Sequence, residues 1–195
     1  MNKLFFVIGI RRSGTSILRD LILKHPEVQE IKFEPYPLWH AIRVSHLGRY
    51  KNDPYVKKII RDFSYSPGKY KGAKFALNAG IESMTWKRLA LVFPEAKFIF
   101  IVRDAEQTYS SWVKQDKDSV RGLCSKELYM GFRHHIIKSF GDFTDIKGAK
   151  KACIIRYKNL VENPDEEMKN VYKLLDIARM GGLQKFIKIP ENWSK

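Results

Sequence analysis

The chain has 195 residues, which suits one domain spanning 1–195, and its 36 Lys and Arg against 21 Asp and Glu give a formal net charge of +15. This balance favours an anionic cofactor, an acidic acceptor or nucleic acid, and it does not distinguish among them. The chain has only two cysteines, Cys124 and Cys153, which excludes a disulfide framework. The predicted strand at the very start and the lack of an apolar run of membrane-spanning length add to this, and together these features predict a cytoplasmic protein without a membrane span.

The first predicted unit is a strand, a loop containing glycine and a helix. Leu4 to Ile10 form an apolar run that suits a strand buried on both faces of a parallel sheet. After a polar turn, apolar residues recur at helical spacing until His25-Pro26. The N–H groups of such a loop and of the first helical turn converge on one point, where the helix dipole also favours an anion. The pattern predicts a phosphate site over Arg11-Arg12-Ser13-Gly14-Thr15-Ser16.

This loop differs from a nucleotide-binding P-loop in the place of its cation. Gly9 and Gly14 have the P-loop spacing, but Thr15 and Ser16 stand where Walker A requires Lys and then Ser or Thr. The cation lies inside the loop instead, at Arg12. On this motif alone, a turn containing glycine that binds no ligand is the alternative.

The next segment places a carboxylate at the end of a short strand. Ile31 and Phe33 alternate with charged residues, and Pro35 ends the strand. Glu34 therefore lies at the carboxyl end, where open α/β sheets bind their ligands. Pairing with a surface cation is the alternative role for this residue.

Residues 41–72 are basic and aromatic, with eight cations, two Asp and four Tyr. Within them, 54–63 predicts a basic amphipathic helix. Aromatic faces among cations suit an acidic sugar, and they also suit nucleic acid. We interpret 41–72 as an acceptor-binding lid; a solvated basic segment without specific contacts is the alternative.

The strongest predicted strand, Lys97 to Val102, delivers Arg103 and Asp104 to its carboxyl end. A strand over 74–77 and a helix ending at Pro94 precede it, and a helix from about Ala105 follows it. A helix within 122–140, a strand over 152–155 and a helix beginning at 163–164 complete an α/β pattern with a parallel sheet. The adjacent His134 and His135 cannot share a helix face, and no metal site is predicted.

Two of these motifs resemble those of the sulfotransferases that use 3′-phosphoadenosine 5′-phosphosulfate (PAPS). Arg12 to Ser16 resembles their 5′-phosphosulfate loop, and Phe98 to Asp104 followed by Ser111 resembles their 3′-phosphate element. Phe33-Glu34-Pro35 looks like the carbohydrate and tyrosylprotein branches of the family. The resemblance implies a P-loop NTPase-like three-layer fold with a central parallel sheet flanked by helices. It also implies PAPS as the cofactor and adenosine 3′,5′-bisphosphate (PAP) as its product.

The resemblance further implies a role for each matched residue. Glu34 is expected to be the general base, and Arg12, with the rest of its loop, to hold the phosphosulfate. Arg103 and Ser111 are expected to hold the 3′-phosphate, and Tyr157 either contacts the nucleotide or packs between helix and sheet. The expected reaction is in-line transfer of a sulfuryl group to an acceptor hydroxyl, with carbohydrate as the first choice and no nucleic acid or metal involved.

The sequence departs from the family pattern in two places. The family's bridging lysine would fall at Asn78, whereas the nearest lysine is Lys74, and residues 181–195 have no clear counterpart. Ser110 is the alternative to Ser111. The alternative functions are a kinase of the same fold, with Asp104 as a magnesium ligand, and a basic nucleic-acid-binding module.

Overall fold

In the computed structural model of the chain, the described residues are 3–33, 54, 57–58, 61, 69–77, 86–115, 125–148 and 150–187. The strands are β1 Leu4–Ile10, β2 Val28–Phe33, β3 Tyr70–Leu77, β4 Lys97–Val102 and β5 Ala152–Arg156. The helices are α1 Thr15–Ile22, α2 Trp86–Val92, α3 Ala105–Gln115, α4 Lys126–Lys147, α5 Tyr157–Glu162 and α6 Pro164–Leu175, followed by a 3₁₀ turn over Leu183–Phe186. No helix in these ranges is long and apolar enough to cross a membrane.

The five strands form one parallel sheet in the order β2-β3-β1-β4-β5. β1 occupies the centre, and it pairs with β3 on one side and with β4 on the other. Because all five strands run the same way, the loops that follow β1 and β4 emerge side by side at one edge of the sheet. The parallel sheet expected from the sequence is confirmed.

Alternate residues of β1 enter two separate cores, one on each face of the sheet. Phe6 and Ile8 pack in a core that contains Trp86 and Phe140 from α2 and α4. Phe5 and Val7 pack in the other core, against α1 and α6. Every residue of β1 is buried, which is why this strand is apolar throughout rather than alternating. Helices on both faces of the sheet give the predicted three layers.

Three predicted boundaries are corrected. β3 begins at Tyr70 rather than at 74, so residues 70–72 belong to the sheet and not to the basic lid. The sequence pattern did not reveal this start because Lys71 interrupts the run of apolar residues. The Lys71 ammonium lies 3.8 Å from the Glu30 carboxylate on neighbouring β2. α4 continues to Lys147, beyond the predicted end at 140, and a short helix, α5, follows β5 directly. Of the predicted helix over 54–63, the four described residues are helical and exposed.

His25 joins the end of α1 to the segment after α6. Its Nε2–H donates to the Ala178 carbonyl at 2.9 Å, and its Nδ1 accepts from the Glu27 N–H at 3.1 Å. The imidazole therefore carries its proton on Nε2. The ring is 3% exposed and packs against Tyr172, so this histidine has a structural role.

The Tyr172 hydroxyl is buried without a hydrogen-bond partner among the described residues, and burial raises its pKa to about 12. A Tyr172→Phe variant removes this unsatisfied group and keeps the ring. We expect its free energy of unfolding to rise by about 1 kcal/mol, because the desolvation cost of the hydroxyl disappears. Urea denaturation measures the change, and a lower stability would show that the hydroxyl is bonded in solution.

Candidate functional site

The loop between β1 and α1 has a backbone that only small or strained residues fit. Gly14 has φ +100°, and a Cβ there would come within 2.4 Å of the Tyr157 ring. At Gly9, a Cβ would come within 2.4 Å of Ser13 Oγ. Arg12 adopts φ +70°, an unusual left-handed conformation for a residue with a side chain. Neither Gly9 nor Gly14 therefore has room for a side chain, because neighbouring side chains pack directly against the backbone of the loop.

The side chains of the loop differ in their exposure. Arg11 and Ser16 are exposed, Arg12 is half-buried, and Thr15 is buried with its methyl group facing Gly9. Ser13 is 2% exposed, and its Oγ has no hydrogen-bond partner in the described part of the chain. A buried hydroxyl without a hydrogen-bond partner, in a loop that contains glycine, is consistent with a site that binds an oxyanion.

The two motifs predicted from the sequence meet at Arg12. Its Nε–H donates to Ser111 Oγ at 3.1 Å, and its carbonyl accepts from Nη1 of Arg103 at 3.3 Å. Burial, followed by the charges of Arg103 and Arg11, lowers the pKa of Arg12. The like charges of Arg11, Arg12 and Arg103 repel one another, and a bound anion would relieve that repulsion.

Arg103 is positioned by contacts on several sides. Its guanidinium carbon lies 4.3 Å from the centroid of the Tyr157 ring, and its Nε–H donates to Gln107 Oε1 at 3.3 Å. Tyr157 is 7% exposed; burial raises its pKa, and the nearby Arg103 and Arg12 partly offset that rise. The contact with the ring holds the guanidinium in place, and a guanidinium group has the geometry that suits a phosphate.

The residues named in the alternative predictions also have defined surroundings in the structure. Asp104 accepts from the Gln107 N–H at 3.0 Å and so caps α3, which gives this residue a structural role. Ser111 contacts Arg12, whereas Ser110 is exposed. Lys74 is 3% exposed in the middle of β3, and its Nζ lies 3.5 Å from Ser16 Oγ at the start of α1.

Sequence reasoning missed Arg133 of α4. Its Nη2 donates to the Arg103 carbonyl, and burial lowers its pKa. The signal was available: Arg133 falls at helical spacing between Tyr129 and Ile136, both of which are buried, so a charged residue lies on an apolar face. Arg133 thus bonds to the backbone of the residue that follows β4.

Several predicted residues lie outside the described part of the chain. Glu34 and Asn78 are among them, as are 188–195 of the carboxyl-terminal segment. The beginning of that segment is described: the Asp165 carboxylate accepts from the N–H groups of Gly182 and Leu183, each at 2.8 Å. These bonds tie the 3₁₀ turn to the first turn of α6.

Comparisons with known proteins agree with this geometry. A sequence model of the Sulfotransferase family matches residues 78–180, slightly more than half of the chain. A protein-tyrosine sulfotransferase of Drosophila melanogaster is 28% identical over 192 residues, which cover 89% of this chain and 38% of the fly protein. The chain spans about half the length of the curated relatives that it matches.

Solved structures share the fold at low sequence identity. The sulfotransferase domain of the Synechococcus PCC 7002 olefin synthase aligns with a TM-score of 0.66 at 17% identity, covering 98% of this chain and 82% of that domain. A mouse sulfotransferase in complex with PAP aligns with a TM-score of 0.59 at 14% identity, covering 95% of this chain and 62% of that one. These likenesses support the P-loop NTPase-like fold, and the match over residues 78–180 shows that the chain belongs to the sulfotransferase family.

Proposed function

We propose that this protein transfers the sulfuryl group of PAPS to an acceptor hydroxyl. One observation carries the proposal: Arg103 donates to the carbonyl of Arg12 at 3.3 Å, although the two residues are 91 positions apart. The predicted phosphosulfate loop and the predicted 3′-phosphate element therefore lie side by side, and we call the space between them the crevice. Family membership supports the reaction class, and the related mouse sulfotransferase solved with PAP supports the cofactor.

The residues of the crevice fit the groups of PAPS. The loop between Gly9 and α1 would receive the phosphosulfate, with Arg12 and the first N–H groups of α1 as donors. Arg103 and Ser111 would hold the 3′-phosphate, since a guanidinium fork and a hydroxyl suit a dianionic phosphate. Arg11, Ser13, Thr15 and Ser16 complete the loop.

When bound, PAPS supplies a sulfuryl group whose bond to a phosphate oxygen breaks as the acceptor oxygen bonds to sulfur. Glu34 would take the proton of the acceptor hydroxyl. Arg12 would stabilise the negative charge that develops on the phosphate oxygen, and its hydrogen bond to Ser111 Oγ supports this role because it orients the guanidinium in advance. We propose that Lys74 serves as the second cation, since its buried ammonium reaches Ser16 in the first turn of α1.

For the acceptor, we propose the hydroxyl of a protein tyrosine in place of the carbohydrate that the sequence first suggested. The basis is the names of the relatives, which are protein-tyrosine sulfotransferases. The test supplies radiolabelled PAPS with a tyrosine peptide, the same peptide with Phe, and an oligosaccharide. Label on the tyrosine peptide alone is expected, and label on the oligosaccharide alone would restore the carbohydrate assignment.

Binding of PAP tests the cofactor directly. Titration calorimetry is expected to show PAP binding without magnesium, whereas ATP with magnesium and a short oligonucleotide bind far more weakly. Tighter binding of magnesium ATP would favour the kinase alternative. Tight, steeply salt-dependent binding of the oligonucleotide with indifference to PAP would favour the nucleic-acid alternative.

An Arg103→Met variant tests the assignment of the 3′-phosphate. We expect its Kd for PAP to rise about 30-fold, because a charge-assisted pair of hydrogen bonds is lost. Adenosine 5′-phosphosulfate, which has no 3′-phosphate, should lose only about 5-fold, through the contact of Arg103 with the loop. Equal losses for both ligands, measured by calorimetry, would contradict the assignment.

A further inference from the structure

Tyr157 touches both anion-binding elements at once. The edge of its ring lies against Gly14 so closely that a Cβ at that position would come within 2.4 Å of Cδ2 and 2.8 Å of Cε2. The guanidinium of Arg103 lies over the same ring, with 4.3 Å between Cζ of Arg103 and the ring centroid. The residue is 7% exposed, so protein atoms enclose most of the ring.

Arg103 is connected to the loop in two ways. Its Nη1 donates a hydrogen bond to the Arg12 carbonyl. Its guanidinium also lies over the Tyr157 ring, which packs against Gly14. Packed side chains transmit displacement because the interior is dense and leaves little free volume. The conformation of the loop and the position of Arg103 therefore depend on each other.

A buried carboxylate holds the residues that flank Tyr157 in the chain. Glu167 of α6 is 9% exposed; its Oε1 accepts from the Arg156 N–H at 2.7 Å, and its Oε2 accepts from Asn159 Nδ2 at 3.2 Å. These bonds hold the turn at which β5 passes into α5, and Tyr157 is the first residue of α5. Glu167 therefore holds residues on both sides of Tyr157 in the chain.

We propose that Tyr157 is a positioning residue that couples the two anion pockets, so that the 5′ and 3′ groups of one nucleotide bind cooperatively. The inference rests on the proposed function. Its ring, and not its hydroxyl, does this work, because the contacts with Gly14 and Arg103 are both made by ring atoms. Binding at one pocket orders the contact that shapes the other, and each group then binds more tightly when its neighbour is present.

Two ligands and two variants measure the coupling. Calorimetry gives the Kd values of PAP and of AMP, which lacks the 3′-phosphate, and their ratio is the gain from that phosphate. Tyr157→Phe is expected to keep both values within about 2-fold. Tyr157→Leu is expected to raise the Kd of AMP about 5-fold and to reduce the gain by a further 5-fold or so, because the ring supports both pockets. Equal losses in the Phe and Leu variants would overturn the proposal, since the hydroxyl would then be a direct ligand.

A double-mutant cycle separates coupling from simple loss of packing. If Tyr157 acts through Arg103, the Tyr157→Leu and Arg103→Met losses in PAP affinity overlap, and the double variant loses less than their product. Losses that multiply would overturn the coupling. Tyr172→Leu is the matched control, because it removes a buried ring that does not contact the loop; it should lower the melting temperature and leave the gain unchanged.

One arm does not depend on the folding of Tyr157→Leu. Arg103→Met alone should raise the Kd of AMP about 5-fold, although AMP has no 3′-phosphate for Arg103 to hold. An unchanged Kd for AMP would overturn the proposed link between Arg103 and the loop. A wild-type protein that binds neither PAP nor AMP would instead contradict the proposed function, which keeps the two failures distinct.

Discussion

Replacing Glu34 with Gln is expected to lower kcat by about 100-fold or more, with little change in the Kd of PAP. Glutamine keeps the size of the side chain but cannot accept a proton at neutral pH. β2 ends at Phe33, whose backbone pairs with that of Lys74, and Lys74 pairs in turn with Val7, three residues before the end of β1. The resemblance assigns the general base to the next residue in the sequence, Glu34. Steady-state kinetics with calorimetry of PAP measures both quantities.

The pH dependence of kcat gives a second readout for this variant. A general base that must be ionised produces an acidic limb in the profile, and that limb should disappear in Glu34→Gln. Glu30→Gln is the matched control on the same strand, since Glu30 is partly exposed and lies 3.8 Å from Lys71. Its kcat should remain within about 2-fold, because the ion pair of Glu30 with Lys71 takes no part in the proposed reaction. A fully active Glu34→Gln enzyme would remove this residue from the mechanism. The alternative general base would then be His40, which follows Glu34 by six residues in the sequence.

Replacing Gly14 with Ala is expected to raise the Kd of PAP by about 100-fold and to lower the free energy of unfolding by about 2–4 kcal/mol. Two effects add at this position. The φ of +100° is unfavourable for any residue with a Cβ, and the new methyl group would overlap the Tyr157 ring at 2.4 Å. Relief of that overlap requires the loop or the ring to move, and either movement displaces donors of the site.

The control for Gly14 lies in α4. A Cβ at Gly131 would have no neighbour within 4 Å, and the residue is helical. Gly131→Ala should raise stability by roughly 0.5–1 kcal/mol, because alanine favours the helix, and should leave PAP binding unchanged. Urea denaturation and calorimetry compare the two variants. Normal PAP affinity in Gly14→Ala would show that the loop does not bind the nucleotide.

The local elements of the site could be predicted from the sequence because their signals are local. The apolar run of β1, the two glycines and the helical spacing after Thr15 lie within 20 residues of one another. The same holds for β4 with Arg103 at its end, since five consecutive apolar residues identify a buried parallel strand. The order of the strands, which brings β1 and β4 side by side, follows from the fold expected of the resemblance.

The contacts between these elements could not be predicted from spacing. Arg12 and Ser111 are 99 residues apart, and only the register of β1 with β4 brings them within hydrogen-bonding distance. Tyr157 was expected either to contact the nucleotide or to pack between helix and sheet. The structure places it against Gly14 and under Arg103, an outcome that requires knowledge of three separate chain segments.

The left-handed backbone of Arg12 has a consequence for how this protein could change by mutation. A residue with a Cβ pays about 1 kcal/mol or more for that conformation, which glycine would adopt without strain. Selection for thermal robustness alone would therefore favour glycine here, at the expense of the guanidinium. The proposed role of the guanidinium in binding the cofactor makes Arg12 a position where activity is gained at a cost in stability, and substitutions chosen only to improve folding should leave it unchanged.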